Sequence, residues 1–257
     1  GDEFPVPLFG GGIMSICYGN SLVGTSGVNG DSFYISPDNR VFMLSDGASG
    51  AGSEGKVIMS RTCAETVKNN PFSSSGLSAR NYLDKMVWEI NDKLTEVSRS
   101  RKSLIFGTLV ICAVCGDNAY VVSAGDSPAY FIRNNAVSRI AKPKKKYQNL
   151  VDMGLFSEEQ LEEAVRRLPE HMWSMFDTFI PSVVPEYSYE EICLERGDMI
   201  ALCCDGVSDC LSAGYISENI SAVNLRQSVD MLIDTAKERS LEEKSYCDDL
   251  TAVVYCH

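Results

Sequence analysis

Two short apolar runs, each ending in Asp-Gly, constrain this chain more than any other feature. The first is Val41-Phe42-Met43-Leu44-Ser45-Asp46-Gly47, and the second is Met199-Ile200-Ala201-Leu202-Cys203-Cys204-Asp205-Gly206. An apolar strand has to lie inside a sheet, so each run delivers its aspartate to a sheet rim. Glycine after the aspartate lets the backbone turn sharply and approach a ligand closely. Even the following residues agree, Ala48-Ser49 against Val207-Ser208. Two buried strands built this way can bring two carboxylates to one place. Clustered carboxylates suit hard divalent cations such as Mg²⁺ or Mn²⁺.

The chain has 257 residues, enough for a full core, and we expect one domain. A net charge of −12 argues against general nucleic-acid binding and against an anionic membrane surface. No apolar run reaches the length of a membrane span, and the N-terminal residues lack a basic region followed by a hydrophobic one. Most of the ten cysteines, among them Cys17, Cys112, Cys115, Cys203, Cys204 and Cys256, sit in strand-like apolar runs. There reduced cysteine acts as a small hydrophobe, which points to a reducing, cytoplasmic compartment. Cys112 and Cys115 have a zinc-like spacing. On a strand, however, that odd spacing turns the two thiols to opposite faces.

In order, the pattern predicts strands over 13–18, 31–36 and 41–47, then a helix over 54–68. Leu83, Met86, Val87, Ile90 and Leu94 recur at helical spacing and mark the core face of a second helix. Strands are expected at 104–114, 119–124, 129–132 and 137–140, separated by tight turns. Two helices followed by a meander is an α+β pattern. Residues 142–185 break the strand rhythm and read as an inserted flap subdomain. Within it Ser157 and Gln160 form a capping box, with Phe156 and Leu161 as its staple. The basic run Lys142, Lys144, Lys145 and Lys146 reads as a solvated loop. The cluster Met172, Trp173, Met175 and Phe176 reads as packing of the insertion onto the sheets. Strands resume at 187–194 and 198–204, helices follow at 213–220 and 224–239, and a last strand covers 250–256.

Carboxylates at strand ends are Asp31, Asp46, Asp126, Asp205, Asp248 and Asp249. Their spacing alone makes them candidates for a metal site and no more. Their local wording says more. Asn29-Gly30-Asp31-Ser32, Ser45-Asp46-Gly47-Ala48-Ser49-Gly50-Ala51-Gly52 and Gly107-Thr108-Leu109-Val110 come first. Ala124-Gly125-Asp126-Ser127-Pro128, Cys204-Asp205-Gly206-Val207-Ser208-Asp209 and Asp248-Asp249-Leu250-Thr251-Ala252-Val253-Val254 complete the set. In this order the motifs resemble those of the type 2C, or PPM, metal-dependent serine/threonine protein phosphatases of bacterial type.

That resemblance implies two antiparallel sheets packed as a central sandwich with helices on both sides, an αββα arrangement. It implies a centre of two Mn²⁺ or Mg²⁺ ions with Asp31, Asp46, Asp205 and Asp248 as carboxylate ligands. Gly47 would lend its carbonyl oxygen, Asp46 would bridge, and Asp46 and Asp205 would carry the catalysis. Asp126 matches a ligand of a third, weaker metal site. Asp249 falls where the family usually has Asn. In such a centre a water or hydroxide shared by two cations attacks phosphorus. The implied substrate is a phosphoserine or phosphothreonine protein, and the implied enzyme is a monomer with neither nucleic acid nor membrane as partner.

Two positions depart from the family. Ser26 stands where many members have a phosphate-gripping Arg, and Ala48 and Ala51 stand where a proton-donating His is expected. The chain's two histidines are His171 and His257. The stretch Asn29-Gly30-Asp31-Ser32 is closer to the sporulation and stress-response branch, which lacks these groups. The competing reading is a pseudophosphatase that binds metal and phosphoprotein without turnover.

Overall fold

The computed structural model describes residues 15–48, 52–103, 105–140, 157, 159–160, 163, 179, 181 and 185–257. The basic run at 142–146, the Met172–Phe176 cluster, the staple pair Phe156 and Leu161, Ala51 and His171 lie outside these residues. The Ser157 capping box is present: Gln160 N–H donates to Ser157 Oγ at 3.1 Å, and Ser157 N–H donates to Gln160 Oε1 at 2.9 Å.

Among the described residues, ten strands form two antiparallel sheets. The first sheet holds β2 (Asp31–Ile35), β3 (Val41–Asp46), β4 (Leu109–Cys115), β5 (Asn118–Ala124) and β8 (Ser188–Cys193), in that spatial order. The second holds β1 (Ile16–Leu22), β10 (Leu250–Cys256), β9 (Met199–Cys203), β6 (Ala129–Arg133) and β7 (Ala136–Arg139). Helices α1 (Gly52–Asn69) and α2 (Ala79–Arg101) cover the first sheet. A single turn, α3 (Asp205–Ser208), follows β9, and α4 (Ala213–Asn219) and α5 (Leu225–Lys244) cover the second sheet. The expected αββα sandwich is therefore the observed one.

The apolar runs are unbroken because both faces of their strands are covered. On β3, Phe42 and Leu44 enter the core between the sheets, while Val41 and Met43 face α1 and α2. On β4, Val110 and Cys112 take the first side, and Leu109, Ile111 and Ala113 the second. The Phe42 ring stacks on Tyr255 of β10 across the sandwich, with centroids 5.3 Å apart. Leu83, Met86, Val87, Ile90 and Leu94 are all fully buried, as their spacing predicts. Cys112 is buried and Cys115 exposed, and all ten cysteines are unpaired.

Boundaries differ in places. β1 runs on to Leu22 through Gly19, Asn20 and Ser21, residues that read as loop. Gly19 fits because the Phe33 ring would lie 2.8 Å from any Cβ there. β4 starts at Leu109 and not at 104, and Gly107 instead bridges Gly47 across the rim. α5 continues to Lys244 and stops where Ser245 adopts φ 59°.

Candidate metal centre

The hairpin of β2 and β3 sets Asp31 directly opposite Asp46. In the second sheet, β9 leads through Cys204 to Asp205, which opens α3, and Asp248 lies just before β10. β9 and β10 are adjacent, and both reach toward β3. Carboxylates of both sheets thus meet at one end of the sandwich. Ligand atoms of Asp46, Cys204 and Asp205 lie within 4.8 Å of one another.

Hydrogen bonds fix this rim. The Asp46 carbonyl accepts from Thr108 N–H at 2.7 Å, and Asp46 N–H donates to Thr108 Oγ1 at 3.2 Å. Thr108 Oγ1 lies 2.6 Å from Ser127 Oγ. Gly47 N–H donates to the Gly30 carbonyl at 3.1 Å, tying the Asp46 loop to the Asp31 strand. A Cβ on Gly47 would collide with the Lys56 carbonyl, so glycine is required by close approach.

Asp31 ends a directed chain of donors. Asn29 Nδ2 donates to Ser21 Oγ at 2.8 Å, Ser21 Oγ lies 2.7 Å from Thr251 Oγ1, and Thr251 Oγ1 donates to Asp31 Oδ2 at 2.7 Å. Asp31 Oδ1 is buried and has no hydrogen-bond partner among the described residues. Burial pushes the Asp31 carboxyl up to about 7. Burial also raises Asp46 well above the usual carboxylate range, and the charges of Asp31 and Asp205 add to the rise. Asp205 is raised by burial first and by the Asp248 charge second. Like charges held this close, beside a bare buried oxygen, call for a cation. An all-oxygen set suits Mg²⁺ or Mn²⁺.

Asp248 is exposed at the edge of the group, and its Oδ1 accepts from Asp249 N–H at 2.9 Å. Asp126 occupies the β5–β6 turn and, like Asp31 and Asp248, is not one of the three residues whose ligand atoms lie within 4.8 Å of one another. Its neighbour Ser127 joins it to Thr108 and so to the Asp46 backbone. Cys204 sits within this group with its sulfur engaged in hydrogen bonds. Its sulfur accepts from Thr251 N–H at 3.1 Å and sits 3.3 Å from the Asp249 carbonyl, and burial raises the thiol well above its ordinary range. Ser26 is exposed on the β1–β2 loop. His257 lies at the far end of β10, with Nδ1 3.0 Å from the Tyr255 hydroxyl.

The residue that sequence reasoning missed is Lys56. It is 5% exposed, and its Nζ lies 2.8 Å from Asp249 Oδ2, itself a buried side chain. One signal was available: an acid at 249, where the family usually has a neutral Asn, requires a compensating cation once buried.

No family model matches the chain. The serine/threonine protein phosphatase PstP of Mycobacterium tuberculosis is 29% identical over 129 residues, half of this chain and 24% of PstP. The chain thus aligns with about a quarter of that relative's length. The serine/threonine phosphatase stp of Listeria monocytogenes is 22% identical over 226 residues, covering 84% of this chain and 85% of stp. The PstP crystal structure superposes with a TM-score of 0.73 at 23% identity, over 95% of this chain and 99% of that one. PppA of Pseudomonas aeruginosa gives a TM-score of 0.76 at 22% identity, over 95% and 98% of the two chains. The PstP catalytic domain has also been solved with two manganese ions. In its fold and in the order of its motifs, this chain resembles the bacterial type 2C (PPM) serine/threonine phosphatases.

Proposed function

We propose that this chain is a metal-dependent protein phosphatase that hydrolyses phosphoserine and phosphothreonine. The observation that carries the proposal is Asp46 held between Asp31 and Asp205, with Asp31 Oδ1 buried and unpartnered. Asp31, Asp46, Asp205, Asp248 and the Gly47 carbonyl would hold two divalent cations, with Asp46 shared between them. Bound there, such ions supply activated water and neutralise the phosphate oxygens. The two manganese ions of the PstP domain support the reading. Asp126 would serve a third, loosely held ion. We read the chain as one catalytic domain with residues 142–185 inserted as a flap, working as a monomer on a phosphoprotein. Ten unpaired cysteines fit a reducing cytoplasm. Among the described residues, no helix is long and apolar enough to cross a membrane. The intact carboxylate set argues against the binding-only alternative.

The chain's own residues set what it can do to the leaving group. No His among the described residues stands at the rim, so we read the departing oxygen as taking its proton from water, whether held at the centre or in solvent, or as leaving without one. General acid catalysis is worth about 10² to 10⁴ in rate where the leaving group is poor. The test is hydrolysis of p-nitrophenyl phosphate and of a phosphothreonine peptide with Mn²⁺, with and without EDTA. Activity should vanish with EDTA, return with Mn²⁺, be lost in Asp46→Asn, and favour the aryl ester. Hydrolysis that survives EDTA, or an active Asp46→Asn enzyme, overturns the assignment.

A further inference from the structure

Lys56 lies one turn into α1, where a lysine ordinarily faces water. Here its ammonium is buried, 2.8 Å from Asp249 Oδ2 and 3.3 Å from Ser26 Oγ. Asp249 completes its own shell with Gly24 N–H on Oδ1 and Gly30 N–H on Oδ2, both at 2.8 Å. Both charged groups thus have hydrogen-bond partners besides each other, which favours the persistence of a buried ion pair.

Its contacts reach every segment that carries a proposed ligand. The Lys56 stem packs on Gly30, where a Cβ would sit 2.5 Å from Lys56 Cδ, and Gly30 precedes Asp31. The Lys56 carbonyl fills the space beside Gly47, which follows Asp46. Its ammonium holds Asp249, which follows Asp248. The Asp249 carbonyl in turn occupies the space beside Gly206, which follows Asp205. We propose that the Lys56–Asp249 pair is the positioning element of the metal centre, setting the spacing of all four ligand segments without touching metal or substrate. The proposal rests on the metal-centre reading above. It assigns the acid at 249 and the cation at 56 to one joint role, which neither plays alone.

The experiment is calorimetric Mn²⁺ titration of wild type, Lys56→Met and Lys56→Met/Asp249→Asn, each first shown to melt cooperatively. The double variant leaves no uncompensated buried charge, so it keeps the question open to measurement if the single variant does not fold. Arg133→Gln is the control. It breaks the Arg133–Asp198 pair, 2.6 Å apart at the other end of β9, and so lowers stability without bearing on the centre. Removing a group that orients ligands costs about 10- to 100-fold in metal affinity. We expect that loss in both Lys56 variants, with activity regained at high Mn²⁺, and unchanged affinity in Arg133→Gln. Wild-type affinity in a folded double variant overturns the proposal, as does an equal loss in the control. A wild type that binds Mn²⁺ but hydrolyses no phosphoester defeats the phosphatase reading alone, because the titrations still decide the role of Lys56. A wild type that binds no Mn²⁺ defeats both.

Discussion

Asp31 carries one satisfied oxygen and one bare one, and this asymmetry has a measurable cost without metal. Its carboxyl is pushed up to about 7 by burial, and Asp46 and Asp205 are raised with it. A folded pKa above the unfolded value means the folded state holds more protons between the two. Their stabilising contribution is therefore complete below about pH 4, the unfolded value, and is lost as pH rises through the folded one. Asp38, Glu89 and Asp198 are lowered and act in the opposite sense, but only in more acid solution. The Tm of EDTA-treated protein should fall from pH 5 to pH 8, and saturating Mn²⁺ should flatten the fall. Asp31→Asn should do so without metal. A metal-free Tm that rises over this range would contradict the electrostatics described. The aspartates were legible in sequence because each follows or precedes an apolar strand beside a glycine or turn residue. Lys56 was not, because nothing local distinguishes a buried helical lysine from a solvated one. Only the tertiary placement of Asp249 does.

Among elements, strict periodicity marks a boundary closely in the sequence, and flanking small polar residues blur it. The α2 face appeared at its spacing, and the apolar runs of β3, β9 and β10 became central strands. The sequence predicts a shorter β1 because Gly19, Asn20 and Ser21 look like loop, although in place they pair with Val253, Ala252 and Thr251. Cross-strand partners outweigh intrinsic preference there. Two element-scale contacts have separable stabilities. Ser78 caps α2 by accepting from Asn81 N–H, and Ser78→Ala should cost about 1 kcal/mol. Phe42→Ala removes the ring stacked on Tyr255 between the sheets and should cost about 3 to 5 kcal/mol. Urea denaturation checks both, and the double variant should show their sum, since the sites share no partner. Equal costs would mean the space between the sheets is less tightly filled than described.

For the whole molecule, the decisive fact is that neither sheet owns the carboxylate group. Asp31 and Asp46 lie on strands of the first, while Asp205 follows β9 and Asp248 precedes β10 of the second. Divalent cations held by these carboxylates, as proposed above, would tie the two layers together. Mn²⁺ at about 100 times its Kd should add about 2.7 kcal/mol to global unfolding. Fluorescence and circular dichroism should still report one transition, and separate transitions for the two sheets would show that the layers melt independently. The strand order carries a further consequence. β10 pairs with β1 on one side and β9 on the other, so the edge strand β1 has no place in the second sheet until residues 250–256 exist. During synthesis, a nascent chain that has passed Asp31, Asp46 and Asp205 still lacks both Asp248 and the strand that seats it. On the reading proposed above, the ribosome must deliver residues 250–256 before the centre can assemble, so a nascent chain should gain its metal affinity only once this strand is in place.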